Sequence, residues 1–217
     1  MPALRGSLTY ARFFVEGALP DDHRERFMKA IRLRAMRPLE PDDEELERTG
    51  WTKIAEPFEL DLTYEDVFYN EYVNLGFRTD RWVAPGPELR LRLREAEAAY
   101  LEKKGRERLT RKEKAELKLL VARKLRRTHP PATRAVDLSW SLGEGVVRFF
   151  SHADKPAGAM TELFKKTFGL TLVPESPYTL AARIGLDKAQ KRAWNELEVV
   201  ALGDREALDR DEAAEEE

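Results

Sequence analysis

The sequence contains no cysteine, and its three histidines are scattered at His23, His129 and His152. Without thiols the chain can form neither a disulfide nor a thiolate zinc site, and it has no cysteine nucleophile. No histidine is paired with another histidine or a glutamate at the spacing of a helical zinc site. We therefore expect neither a metal centre of these kinds nor a cofactor.

Long apolar runs are also missing. No stretch of about 18 apolar residues is present, so we expect no membrane span and no membrane partner. The first 17 residues lack an apolar core followed by a small-residue cleavage site, which argues against a signal peptide. Phosphate-cradling glycine loops and the glycine-flanked serine of hydrolases do not occur either. These absences favour a cytoplasmic protein that is not an enzyme.

The composition is that of a folded chain with an ion-rich surface. Of 217 residues, 42% are hydrophobic and 36% are charged, well above the usual ~25%. The net charge of −2 hides opposite blocks: residues 40–47 carry six acids and no base, and residues 204–217 carry eight acids and two arginines. Residues 103–127 carry twelve cations and three glutamates. This polarity says more about partners than the total charge does.

The first third of the chain predicts a strand, then a helix, then two or three further strands. Residues 7–17 are rich in β-formers, and Asp21 or Asp22 can cap a helix with Phe27 and Ile31 on its apolar face. Residues 40–51 look like an acidic connector. The β-branched and aromatic stretch 58–83 predicts two or three strands, with turns near Asp66, near Asn70 or at residues 74–76.

A helical hairpin is predicted next. Pro85-Gly86-Pro87 marks a break, residues 88–104 favour a helix, and Gly105 is a good stop. Thr110 with Glu113 forms a capping box that starts a second helix, which Pro130-Pro131 ends. Two helices joined by a short basic turn indicate a projecting hairpin.

The second half predicts a β-hairpin, a helix and a strand. Val136, Leu138 and Trp140 alternate with polar residues, residues 143–145 supply a glycine turn, and a second strand follows. Asp154 is expected to cap a helix that Gly169 closes. A short strand at residues 170–177 comes next, then a short helix over residues 189–200.

These elements predict an α+β fold, an antiparallel sheet module with packed helices and a projecting basic hairpin. We divide the chain into an N-terminal part of the sheet module, the hairpin, a segment that completes the module, and a short helix with an acidic, disordered tail. Their ranges are 1–84, 85–130, 131–185 and 186–217.

The basic segment is the strongest functional candidate. Several cations on one surface bind phosphates because counterions condensed on nucleic acid are released. The other interpretation is a solvated helix with few compensating acids. The predicted DNA-binding residues are Lys103, Lys104, Arg106, Arg108, Arg111, Lys112, Lys114, Lys118, Arg123, Lys124, Arg126 and Arg127.

Three other features have competing interpretations. The carboxylates Asp61, Glu65, Asp66 and Glu71 could bind Mg²⁺ in a nuclease, but charged residues in strands usually form the wet face. The aromatic residues could stack on single-stranded bases, but their strand positions favour a core role. The acidic tail is a solubilising end, a competitor for the basic surface, or a partner contact. The aromatic residues considered are Tyr10, Phe13, Phe14, Trp51, Trp82, Trp140, Phe149 and Phe150.

The order of these elements, together with two short motifs, resembles the RdgC family of recombination-associated proteins. The most telling is "GRERLTRKEKAELK" at Gly105–Lys118, followed by Ser151-x-Ala153-x-Lys155 leading into a helix that ends at Phe168-Gly169. The order of elements matches from Ser7 to Leu180. Where the family has a "PRAF"-like stretch before the tryptophan strand, this chain reads "PPATRAV". Family members are longer, so the chain is expected to be a shortened form lacking much of the C-terminal half.

The resemblance implies a cytoplasmic, nucleoid-associated protein that binds DNA with little sequence preference. It also implies a homodimer that encircles DNA, and restraint of the RecA recombinase by occupying DNA. The alternative from the residues is a protein-interaction module without DNA binding, and the third hypothesis is a metal-dependent nuclease.

Overall fold

A computed structural model describes residues 9–196, which form two compact units divided between Glu175 and Ser176. The strands are β1 (Ala11–Glu16), β2 (Glu47–Thr52), β3 (Phe68–Tyr69), β4 (Tyr72–Arg81), β5 (Ala132–Ser141), β6 (Val146–Phe149) and β7 (Thr171–Pro174). The helices are α1 (His23–Leu33), α2 (Tyr64–Val67), α3 (Gly86–Lys104), α4 (Arg111–Arg126), α5 (Asp154–Phe168), α6 (Pro177–Ile184) and α7 (Lys188–Glu196). The predicted α+β class is confirmed.

All seven strands belong to one antiparallel sheet, in the order β2-β4-β5-β6-β1-β7. The short β3 pairs with the start of β4, beside β2 on the same edge. The longest pairing joins β4 to β5 over ten residues, from Tyr72 opposite Ser141 to Arg81 opposite Ala132. This pair carries the hairpin, because α3 follows β4 and α4 precedes β5.

One face of the sheet carries the core. Side chains alternate along a strand, so Leu75 and Phe77 of β4 share a face with Leu138 and Trp140 of β5, and all four are buried. The aromatic ring of Phe77 meets Phe149 of β6 edge to face at 6.0 Å. The predicted core positions on β5 are confirmed.

Helices α1 and α5 cover this face. Phe27 of α1 lies 5.5 Å from Trp140, and Phe164 of α5 lies 5.1 Å from the same ring, measured between centroids. The indole nitrogen of Trp51 in β2 donates a 2.9 Å hydrogen bond to the hydroxyl of Thr167 in α5. Burying these rings contributes to the hydrophobic stabilisation of this unit.

The opposite face contains a buried ion pair. Arg78 and Asp80 alternate with the core residues of β4, and two guanidinium nitrogens of Arg78 reach the Asp80 carboxylate at 2.8 and 2.6 Å. The hydroxyl of Thr133 donates to the same carboxylate, and Arg78 also donates to the Pro57 carbonyl. A fully hydrogen-bonded pair avoids the cost of isolated buried charge.

The interpretation of residues 40–51 as a connector is wrong at its end, because β2 begins at Glu47. Periodicity missed this strand because it mixes charge with glycine. Gly50 is required by packing: a Cβ there would lie 2.5 Å from the Cα of Met36. The strand therefore forms through tertiary contact rather than β-propensity.

The predicted turns in residues 58–83 are confirmed in part. The chain turns at Asn70, which has a φ of 53°, an angle asparagine tolerates. Near Asp66 the structure has α2 rather than a turn, because Thr63 and Asp66 form a capping box. Residues 74–76 are not a turn. They lie within β4, where a Cβ on Gly76 would meet the Thr52 side chain at 2.5 Å.

The C-terminal part contains one unpredicted helix. Ser176 and Thr179 form a capping box for α6, with Pro177 at its start. Helix α5 begins at Asp154, but its cap is Ala153 without a side-chain hydrogen bond, so the predicted capping by Asp154 is wrong. Gly169 ends α5 in the left-handed region, as predicted. Residues 197–200 of the last predicted helix, and the acidic tail, lie outside the described residues.

None of the helices between residues 9 and 196 is both long and apolar enough to span a bilayer.

Candidate nucleic-acid interface

Helices α3 and α4 form the predicted hairpin. Gly105 ends α3 with a φ of 60°, where a residue with a Cβ would be strained. Thr110 caps α4 through its hydroxyl, which accepts from the Glu113 backbone N–H, and the Glu113 carboxylate accepts from the Thr110 N–H. Both predicted boundaries are confirmed.

The tip of the hairpin is held by Glu113. Its carboxylate accepts from the Thr110 backbone and hydroxyl, from Arg106 and from the hydroxyl of Tyr100. These interactions, led by the hydrogen bond from the Thr110 backbone, lower the pKa of Glu113 from 4.5 to about 2. The basic turn is thus tied to both helices by one carboxylate.

Little of the hairpin is buried. Helix α3 has no buried residue, and α4 has only Val121 and Leu125. Charged side chains on such helices extend into solvent on most sides. Eleven of the twelve predicted DNA-binding cations are exposed, and Arg126 is half-buried.

Four of these cations are engaged with neighbouring groups. Arg106 pairs with Glu113, and Lys114 lies 3.4 Å from Glu97. Near the base of the hairpin the acidic segment at residues 42–45 meets α4. There Arg127 pairs with an Asp42 oxygen at 3.0 Å, and Arg126 donates to the Asp43 carbonyl.

The remaining eight cations form no ion pair with any residue between 9 and 196. They are Lys103, Lys104, Arg108, Arg111, Lys112, Lys118, Arg123 and Lys124. Their uncompensated charge is what distinguishes this hairpin from a solvated helix of mixed sign.

One groove on the hairpin brings several cations together. A groove of about 580 Å³ is lined by Arg90 and by the predicted residues Arg111, Lys114 and Lys118, over a floor that includes Leu89 and Leu93. No acidic side chain lines it. A surface of this kind favours a polyanion, because no acid lines it and Lys114 alone of its four cations pairs with an acid of the described chain, Glu97.

Arg90 was not among the predicted residues. Arginine recurs at positions 90, 92 and 94, which could have indicated a basic helix surface. These positions lie before the densest basic run, at residues 103–127, from which the binding residues were predicted. Its guanidinium donates to the Gly86 carbonyl one turn earlier, at 3.2 Å.

A second groove between α3 and α4 is lined by side chains of both charge signs. It holds about 570 Å³ and is lined by Glu88, Glu95, Arg92, Lys124 and His129, among others. His129 lies 3.2 Å from Glu88. The structure therefore separates Lys124 from Arg111 and Lys118, although all three belong to the same predicted set.

A second basic surface was also missed. Between Arg24 and Arg37 the sequence has six cations and one acid. On α1 the side chains of Arg26, Lys29 and Arg32 are exposed, while Phe27 and Ile31 face the core. A strict count of charge along that helix would have found it.

Asp66, one of the carboxylates considered for Mg²⁺, already has hydrogen-bond and ion-pair partners. Asp66 accepts from Thr63 and pairs with Lys53 at 3.2 Å, and these interactions, chiefly the Thr63 hydroxyl, lower the pKa of Asp66. In the part of the chain that the structure describes, no three histidine or acidic side chains are grouped so that they could hold a metal ion.

The aromatic residues considered for base stacking are mostly core. Trp51, Trp140 and Phe149 are fully buried, and Phe13 and Phe14 are nearly so. The core interpretation is confirmed for these five.

Comparison with known proteins finds no matching family model and no matching curated protein.

Proposed function

We propose that this protein binds DNA without sequence preference, through the phosphate backbone, and that the basic groove of the hairpin is the main contact. The observation that carries the proposal is the lining of that groove by Arg90, Arg111, Lys114 and Lys118 with no acid among them. The free cations of the tip, Lys103 and Lys104 among them, extend the same positive surface.

The chemistry supports phosphate contact rather than base recognition. Arginine and lysine neutralise phosphates and release counterions, which favours binding but carries no sequence information. The hairpin presents neither a zinc-finger motif nor an aromatic RNA-binding motif that would read bases. The resemblance to the RdgC family points to the same activity, and with it to restraint of RecA by occupying DNA.

A protein contact is the second candidate, and one observation favours it. Leu119 and Leu120 on α4 are 67% and 55% exposed. They lie between Glu116 and Arg123, and these four residues line one groove beside Asp43. In an antiparallel pair of α4 helices, each Glu116 would face Arg123 of the other copy, with the leucines between them. This surface fits the homodimer implied by the resemblance.

Fluorescence anisotropy with a random-sequence duplex tests the DNA proposal. We compare wild type with Arg111→Glu/Lys118→Glu and with Lys165→Glu/Lys166→Glu, which makes the same charge change on α5. We expect wild type to bind with a steep salt dependence and the hairpin variant to lose most of its affinity. For every phosphate that the variant no longer neutralises, the slope of log K against log salt should become shallower by about 0.9.

Two outcomes contradict the proposal. In one, wild type fails to bind even at low salt, which leaves the protein-interaction module as the function. In the other, both variants lose affinity equally, so that total charge and not the groove decides binding. Sedimentation of wild type and Leu119→Glu tests the homodimer, because a buried glutamate at the leucine pair would favour monomers.

A further inference from the structure

A cleft separate from the grooves of the hairpin lies at the end of the sheet, where the hairpin joins it. Its volume is about 400 Å³, and it opens between the ends of β2, β4 and β5 and the first turn of α5. Phe77, Val136 and Ala159 form an apolar floor. A cleft of this size with an apolar floor and a few polar groups is typical of a small-molecule site.

The rim of the cleft is positive. Arg81, Arg134 and Lys155 line it together with one acid, Glu47, so its formal charge is about +2. Glu47 is shared, at 3.7 Å from Arg81 and 3.3 Å from Lys155. Arg134 is exposed and forms no ion pair with any residue of the described chain, so its guanidinium is accessible to an anionic ligand.

The start of α5 forms one wall of the cleft. The helix has 15 residues, and Ala153 at its cap supplies no side-chain acceptor for the first N–H groups. Ala153, Lys155 and Pro156 of this turn all line the cleft. A helix N-terminus carries a partial positive charge, which Asp154 in the same turn offsets. The attraction for an anion therefore comes from the three cations of the rim.

We propose that this cleft binds an organic phosphate with an apolar or aromatic body, the chemistry of a nucleoside monophosphate. A phosphomonoester carries about −1.5 to −2 charge at neutral pH, which matches the rim. Arg81 and Arg134 can each form paired hydrogen bonds to its oxygens. The base or sugar lies over the apolar floor, against Val136 and the partly exposed Ala159. The cleft shares no lining residue with the hairpin groove.

The same chemistry has two sources, a free nucleotide or the 5′-phosphorylated end of a DNA strand. Only the second source rests on the proposed DNA binding. The cleft lies where β4 leads into α3 and α4 returns to β5, so a strand held by the hairpin has a route to it.

Calorimetric titration with deoxyadenosine monophosphate tests the site. We expect saturable binding to wild type, weakened about tenfold or more in Arg134→Gln/Lys155→Gln because charge-assisted hydrogen bonds are lost. Ala159→Leu, which fills the floor, should weaken binding without a change of charge. Lys165→Gln/Lys166→Gln on the exposed side of α5 is the matched control and should bind like wild type.

Deoxyadenosine and inorganic phosphate are the further probes. Both should bind more weakly than the nucleotide, because each lacks one half of the recognition. The proposal is overturned if the nucleotide shows no saturable binding at millimolar concentration, if the control loses as much as the cleft variant, or if inorganic phosphate binds as tightly as the nucleotide.

Oligonucleotides with and without a 5′-phosphate distinguish the two sources. If a strand end is the ligand, wild type prefers the phosphorylated strand and Arg134→Gln/Lys155→Gln loses that preference. If a free nucleotide is the ligand, the preference is absent while nucleotide binding remains. Arg111→Glu/Lys118→Glu should retain nucleotide binding in either case, which separates failure of this site from failure of the hairpin groove.

Discussion

The helical hairpin and the sheet with α1 and α5 are built in opposite ways. In the sheet unit the large side chains are inside, and Trp51 and Trp140 have no exposed surface. In the hairpin only Val121 and Leu125 are buried, and eleven of the twelve predicted cations are exposed. One region therefore uses its residues for stability and the other for a charged surface. Substitutions should separate the two: stability should change in the sheet and binding should change in the hairpin.

The largest effect is expected in the core. Trp140 contacts Phe27, Phe164 and Phe168 at centroid distances of 5.5, 5.1 and 5.3 Å. Trp140→Ala leaves a cavity that these rings cannot fill, and we expect it to lower the free energy of unfolding by about 4 kcal/mol. Urea unfolding followed by circular dichroism measures this. A loss below about 1 kcal/mol would mean that the core is not packed as described.

The buried ion pair should give the next largest effect. Asp80→Ala leaves the Arg78 guanidinium buried without its carboxylate, and we expect a loss of about 3 kcal/mol. Arg78→Met/Asp80→Leu, which removes both charges, should cost less than the single change. Urea unfolding of both variants measures the difference. If the double variant is the less stable of the two, the pair itself contributes net stability.

At the hairpin tip the expected effect is smaller. Thr110→Ala removes the hydroxyl that caps α4, and we expect a loss of about 1 kcal/mol. Hydrogen exchange of the α4 amides is the sharper measurement, because fraying of this helix need not unfold the sheet. Equal exchange rates in α4 before and after the change would contradict the role of the cap.

The pH dependence of the tip follows from Glu113. Its pKa is lowered in the folded chain, from 4.5 to about 2. Its contribution to stability is therefore complete above pH 4.5 and lost as the pH falls through 2. Titration of this carboxylate by NMR, with helix content followed in parallel, should show α4 loosening in that window. Glu113→Gln should remove the pH dependence.

The smallest stability effect should come from the basic groove itself. Arg111→Glu/Lys118→Glu changes two exposed side chains that form no ion pair within the described residues, and we expect the free energy of unfolding to change by less than about 0.5 kcal/mol. The same variant should lose DNA binding. A large loss of stability would mean that these cations also hold the hairpin together.

The hairpin was the most predictable part of the fold because its signals are local. Gly105 stops α3 and the Thr110–Glu113 box starts α4, and both act within one turn. Strand β2 was missed because Gly50 is set by the approach of Met36 from elsewhere in the chain. The site was predicted as a set of cations along one segment. That set could not show that Lys124 faces a mixed groove, or that Arg90 joins Arg111.

The α+β class, the hairpin boundaries and the excess of cations on the hairpin could be predicted from the sequence, because helix caps, period-two strands and charge blocks are local properties of the chain. Which of these cations lie side by side depends on the tertiary structure. Arg90 is brought beside Arg111 and Lys118 by the packing of two helices, and Arg81, Arg134 and Lys155 by strand pairing and the placement of α5. Both groupings depend on contacts between residues far apart in the chain, and no local pattern records them.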